Sequence, residues 1–354
     1  MTMVSKTPSV GGQAVVEGVM MRAPDATSVA VRRPDGSIVV RVRSQASLSR
    51  RFPALARPGL RGMATLLETM ADGISALNFS AVHAMPQEQA GEGDKPGAAM
   101  TTGAIVGTLV VSMALGFALF AALPHFLTWG IGMLTGSDAL AGGKAAAFHL
   151  VDGFIKLCIF VLYIWLVSFM KDMRRVFEYH GAEHQAIFAF ESGAALSPAE
   201  LESRTTLHPR CGTAFLVTVI AVSIFVFAGV FPLLPELSQV RFVNQVLYVA
   251  IKLPLILPVA AISYEIIRFA GKCRGSWFGS MVSGPGLLMQ KITTRRPDAR
   301  QQEIAIVALE SALNPALFGL SGEFGERVAE FAGYDEFREF SNRRAAGPEE
   351  SSGE

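Results

Sequence analysis

The chain has 354 residues, more than one typical domain needs, so a second module or a membrane part is expected. Hydrophobic residues make up 51% and charged residues 17%, against about 25% charged in ordinary soluble domains, and the deficit concentrates between Thr101 and Arg268. A net charge of +1 speaks against a nucleic-acid partner held by bulk charge, and three cysteines (Cys158, Cys211, Cys273) make no disulfide framework.

The start of the chain has no signal-peptide pattern, since Lys6 is followed by TPSVGGQAVVEG rather than an apolar core. The first membrane helix is therefore expected to serve as its own insertion signal. Residues 10–49 read as β structure. VAVRRPDGSIVVRVR alternates apolar and polar residues on both sides of the turn signal RPDG. Upstream, GGQAVVEGVMMR holds a short strand flanked by glycines, which suit either a hairpin or a loop approaching a ligand. Residues 1–57 thus form an N-terminal β-rich module.

Residues 58–100 carry an amphipathic helix and a polar linker. Leu60, Met63, Leu66, Leu67, Met70, Ile74 and Leu77 recur at helical spacing, while Arg61, Glu68 and Asp72 exclude a membrane crossing. This helix is expected to lie on the membrane or on the β module. The linker, PQEQAGEGDKPGA, has no periodicity.

The membrane domain, residues 101–270, holds four predicted spans at 103–123, 149–170, 214–234 and 244–269, each meeting the requirement of about 20 residues. The run HFLTWGIGML (125–134) is too short to span and is expected at the interface. Lys and Arg set the orientation. The 171–213 loop carries Lys171, Arg174, Arg175, Arg204 and Arg210, and the flank after the last span carries Arg268, Lys272 and Arg274, whereas the opposite loops offer Lys144 and Arg241. The expectation is a multi-pass cell-membrane protein whose N- and C-termini and 171–213 loop are cytosolic. Residues 271–320 form a cytosolic C-terminal segment, and 321–354 a tail, partly disordered, ending in GPEESSGE. The fold class is mainly α: a polytopic helical membrane protein with a small N-terminal β module.

Two motifs carry chemistry. In HGAEH, His180, Glu183 and His184 share one helix face, so both imidazoles could bind one Zn²⁺ while Glu183 orients or deprotonates a water. This is the H-x-x-E-H order of inverted zinc peptidases, although Gly181 weakens the helix by about 1 kcal/mol relative to alanine. LHPRCGT adds His208 and Cys211 just before the third span, at a similar membrane depth. With a metal, a closed set of His180, His184, His208 and Cys211 would be a structural staple. An open set of three with Glu183 as base would be catalytic. Without one, these residues would hydrogen-bond and cap helices at a polar surface.

Asp152 and Lys156, four apart in the second span, can pair, and Lys252 lies inside the fourth. Transport through these charges is the main alternative function, unless Lys252 snorkels outward and the pair only fixes packing.

From about Gly11 to about Leu309 the chain resembles the YqhQ-like family of bacterial membrane proteins, usually labelled predicted metal-dependent enzymes. The resemblance rests on GGQAVVEGVMMR, KDMRRVFEYHGAEH, HPRCGT, PGLLMQKITTRRPD and EIAIVALE together. It implies a multi-pass membrane protein with metal residues at His180, Glu183, His184, His208 and Cys211. The chain departs from the pattern at Arg296, where the family tends to have an acidic residue. The expected function is a metal-dependent hydrolytic membrane enzyme using a divalent ion, zinc by ligand type, with Glu183 as base. A transporter and a zinc-stapled scaffold are the alternatives.

Overall fold

β1 (Gly11–Val15), β2 (Gly18–Arg22), β3 (Ala26–Arg32) and β4 (Ile38–Gln45) form an antiparallel meander. The computed structural model describes residues 8–45, 48–85, 102–209, 211–273, 275–322 and 324–345. The RPDG turn closes where the alternation places it. Arg33 N donates to Ser37 O at 2.9 Å, and Gly36 takes φ +91°, which glycine adopts without strain.

After a short helix α1 (Leu48–Arg51), α2 (Leu60–Ala84) lays Ala76 and Phe79 onto the sheet residues Val15, Met20, Val29, Val31 and Val39. Arg22 of β2 forks to Glu68 and Asp72 of this helix. Two of the polar residues that exclude a membrane crossing, Glu68 and Asp72, therefore fasten α2 to the sheet. Its Leu67, Met70, Ile74 and Leu77 stay exposed on the other side.

α3 (Thr102–Phe117) runs through a π-helical segment, Ala118–Ala122, into α4 (Leu123–Thr135). The run at 125–134 is thus not a separate interfacial piece. It completes a candidate span, Val110–Thr135. A wider π turn just before Pro124 accommodates the proline's missing N–H, so the helix need not end there. His125 is buried and hydrogen-bonds through Nε2 to Gln245 Oε1 at 2.9 Å, which holds this half against the bundle.

α5 (Asp138–Ala141) leads to α6 (Ala146–Val167), which ends before α7 (Lys171–Glu191). α8 (Pro198–Glu202) precedes α9 (Gly212–Val230) and α10 (Arg241–Lys272). The other three candidate spans are Ala146–Val167, Gly212–Leu233 and Arg241–Lys272. In the apolar windows of the first two spans only 11% and 17% of residues are buried, so most of their apolar surface is left uncovered by the described residues, which is compatible with helices that cross a bilayer. On α10, Arg61 of α2 donates from Nε to Glu265 Oε1 at 2.6 Å, joining the sheet module to the bundle.

α11 (Trp277–Thr293) crosses the ends of α9 and α10, and α12 (Ala299–Leu313) opens with a capping box built from Asp298 and Gln301. The sequence assigns 321–354 to a partly disordered tail. Within it, β5 (Phe324–Phe331) pairs with β4, Ile38 opposite Phe331, and α13 (Tyr334–Ala345) follows. The expected disorder of GPEESSGE falls on residues outside those described, as does the polar linker after Met85. The sheet order is β1-β2-β3-β4-β5. Its second face packs on Tyr179, Ala182 and Ala186 of α7 and on Ile304–Leu309 of α12, with Phe331 and Phe337 closing one end. With a helix layer on each face, β3 is buried along nearly its whole length.

Candidate metal centre

α7 runs between the sheet edge and α12, and turns the face bearing His180, Glu183 and His184 inward. Gly181 sits where the chain after α11 crosses this helix: a Cβ there would lie 2.0 Å from the carbonyl oxygen of Arg295. The glycine that costs helix propensity is what admits that backbone. Arg295 N in turn donates to Phe177 O at 2.9 Å. The crossing brings Thr293 O within 2.8 Å of His180 Nδ1. From the other side, Thr206 O lies 2.5 Å from His184 Nδ1.

A carbonyl oxygen can only accept, so Nδ1 of each ring carries the hydrogen. In the neutral rings the lone pair is then on Nε2. His180 Nε2 lies 3.0 Å from Cys211 Sγ. His184 Nε2 is buried, with no hydrogen-bond partner among the described residues. His180, His184 and Cys211 each offer one ligand atom, and these atoms lie within 4.8 Å of one another. Cys211 is held as the N-cap of α9, where its sulfur accepts from Thr213 N at 3.5 Å.

Glu183 stands beside this trio, with Oε2 3.9 Å from His180 Nε2. Its carboxyl is buried under β1: a Cβ on Gly12 would meet Glu183 Cγ at 2.7 Å and Oε1 at 2.8 Å. Burial pushes the Glu183 carboxyl up to about 7, opposed by the neighbouring His180. The glycine-flanked GGQAVV segment is therefore a strand that approaches a site residue.

The fourth residue singled out by sequence, His208, is placed differently. Its ring centroid is 5.6 Å from that of His184 and 4.6 Å from that of Phe188, and its Nε2 is 3.7 Å from Glu191 Oε2. The His208 backbone is clamped by Gln290 of α11, whose Oε1 accepts from His208 N at 2.7 Å while its Nε2 donates to His208 O at 2.8 Å. Sequence spacing identifies the histidines and the cysteine. It gives no signal for Thr206, Gln290 or Thr293, whose roles pass through backbone carbonyls or to the backbone of His208. Arg296 lies on the exposed surface, 3.3 Å from Glu202.

The donor set suits a divalent ion of borderline softness. Two imidazole nitrogens and one sulfur converge, and each imidazole is oriented through its other nitrogen, the arrangement that fixes metal-binding histidines.

A second polar cluster lies within the spans. Lys252 Nζ is 3.0 Å from Asp152 Oδ1, and Lys156 Nζ is 3.5 Å from Asp152 Oδ2. Lys252 is 1% exposed, so it does not snorkel outward. Both ammonium groups also face the ring of Phe227, at 5.7 and 5.3 Å.

A family described as "Protein of unknown function (DUF1385)" matches residues 57–315. The chain is 29% identical over 313 residues to "Uncharacterized protein YqhQ" of Bacillus subtilis (strain 168), a match covering 86% of this chain and 92% of that protein. No solved structure matches the chain.

Proposed function

We propose, from the premise that the chain belongs to the DUF1385 family of proteins of unknown function, that it is a metal-dependent hydrolytic enzyme of the cell membrane. His180 Nε2, His184 Nε2 and Cys211 Sγ would hold one divalent ion, zinc by the nature of the donors. The observation that carries the reading is the pair of Nδ1 contacts to Thr293 O and Thr206 O, which commit both Nε2 lone pairs to the space beside the cysteine. When bound, such an ion supplies Lewis acidity and lowers the pKa of water toward neutrality. Glu183 would take up and return the proton. Its position, with Oε2 3.9 Å from His180 Nε2, supports that role. β1, α7 and the 293–295 segment exclude bulk water from it.

The basic 171–213 loop favours a cytosolic site, with both termini on the same side. A closed structural zinc site is the competing reading, favoured by the burial of His184 and Glu183 to 1% and 4% exposure. The mutual pairing of Asp152, Lys156 and Lys252 supports a clamp between α6 and α10 rather than a transport path.

The test is metal content, measured on purified wild type beside His184→Ala. One ion per chain in the wild type and a large loss in the variant support the proposal. Equal content in both sinks it.

A further inference from the structure

A cavity of about 260 Å³ opens between α9, α10 and α11, one segment away from the candidate metal centre. Its walls include Pro209, Ala214, Ile267, Ala270, Val282 and Ser283. None of its lining residues among those described is charged. The Ser283 hydroxyl already donates to Gly279 O on its own helix, at 2.7 Å. Apart from Ser280 and Ser283, the described lining residues are apolar or glycine, and such walls suit hydrocarbon. The volume is slightly below the roughly 300–1,000 Å³ of sites that enclose whole small molecules, so it fits part of a ligand.

Position narrows the occupant further. The cavity lies where the candidate span of α9 begins, at Gly212, and that of α10 ends, at Lys272. α11, which roofs it, presents Trp277, Met281 and Leu288 as exposed side chains. Tryptophan beside aliphatic residues on one helix is what the headgroup boundary of a bilayer accommodates. The cavity adjoins the site along the chain: Cys211 lies between the lining residues Pro209 and Ala214, and Ala214 N donates to Cys211 O at 3.1 Å.

The geometry points to a binding site for the hydrocarbon chain of an amphiphilic substrate, whose polar end would reach the His180–His184–Cys211 cluster. The enzyme would then act on a lipid-derived molecule taken from the bilayer, an inference that rests on the metal-dependent reading above. α11 links the two parts physically, since it lines the cavity at Ser283 and ends at Thr293, whose carbonyl oxygen lies 2.8 Å from His180 Nδ1.

The experiment uses the full chain in lipid nanodiscs with a photoactivatable long-chain fatty acid as probe. Labelled peptides are mapped with and without excess unlabelled fatty acid, and metal is measured on the same samples. Expected is competable labelling within 209–214 and 270–283. The outward surface of α6 around Leu150 and Phe154, both exposed, serves as background, where lipid contact is expected not to be competed. Ser283→Phe fills the cavity and should reduce its labelling to that background while keeping the metal, whereas Ser283→Ala should label like wild type. Should Ser283→Phe fail to fold, Val282→Phe replaces it. Labelling near the cavity that is no stronger than on α6, that is not competed, or that survives the folded filling variant would overturn the inference even with metal present. Competable labelling in a wild type that lacks metal would remove the metal-dependent reading and leave the hydrocarbon site standing.

Discussion

Gly12 of β1 stands directly over the carboxyl of Glu183 on α7, so close that a Cβ at position 12 would fall 2.7 Å from Glu183 Cγ. A strand near one end of the chain and a helix in its middle thus meet at the residue proposed as base. Gly12→Ala should destabilise the protein by about 1–3 kcal/mol through overpacking. In a Glu183→Ala background the same substitution should cost less, by a coupling of about 0.5–3 kcal/mol. Denaturant unfolding of the four proteins decides it, and strict additivity would mean that the two residues do not touch.

Glu17, in the tight link between β1 and β2, has φ +50°, a left-handed conformation that costs a non-glycine residue about 1 kcal/mol. Its carboxylate takes both Nε and Nη2 of Arg175, each at 2.5 Å, and accepts from Tyr179 Oη at 3.2 Å. That fork draws the hairpin, and with it Gly12, onto α7. Glu17→Gly relieves the strain and loses the pair, which at a half-exposed arginine contributes up to about 1 kcal/mol. It should lie near wild type. Glu17→Ala loses the pair and keeps the strain, so it should be less stable than Glu17→Gly by about 1 kcal/mol. The reverse order in thermal unfolding would exclude a strained hairpin link.

Asp152 is the only carboxylate in contact with Lys156 and Lys252 among the described residues, and it joins α6 to α10. Asp152→Asn leaves both ammonium groups buried without a counter-charge and should destabilise by about 3–5 kcal/mol. Asp152→Asn combined with Lys252→Met should do less harm than the sum of the single changes. Additive losses would dissolve the clamp. A well-folded Asp152→Asn protein would revive a transport role for these charges.

Orientation is tested separately. A reporter fused near Ser197 should read as cytosolic and one near Gly142 as external, because the basic loop and the nearly neutral ones fall on opposite sides. Exchanged signals would move the candidate site to the outer face.

The sequence carries the parts whose causes are local. Strand alternation around RPDG, apolar length for four spans and the three-and-four spacing of His180, Glu183 and His184 all leave a periodic trace. What it hides is contact between distant segments. β5 reads as tail because Phe324–Phe331 bears charges on a sheet edge. The 125–134 run reads as too short because a π turn leaves no compositional mark. Gly181 reads as a helix weakness because the backbone that needs its missing Cβ arrives from position 295. His208 and Cys211 are equally plausible ligands by spacing, and only the fold turns one toward His180 and the other toward Glu191.

That last difference separates the ligand sets most sharply. If His180, His184 and Cys211 hold the ion, then Cys211→Ala, like His184→Ala, should lose stoichiometric metal from the purified protein. His208→Ala should retain it with affinity reduced at most about 10–100-fold, the range for residues that support ligands without being ligands. Glu183→Gln should keep the metal fully, because it keeps the shape of the side chain and removes only a proton acceptor. Metal analysis after dialysis against a graded chelator ranks all four variants. Equal loss in His208→Ala and Cys211→Ala would instead indicate a closed four-ligand staple, with His208 turning away from Glu191 to complete it. Glu183→Gln would then affect stability alone, since a closed staple leaves no position for water beside the carboxyl.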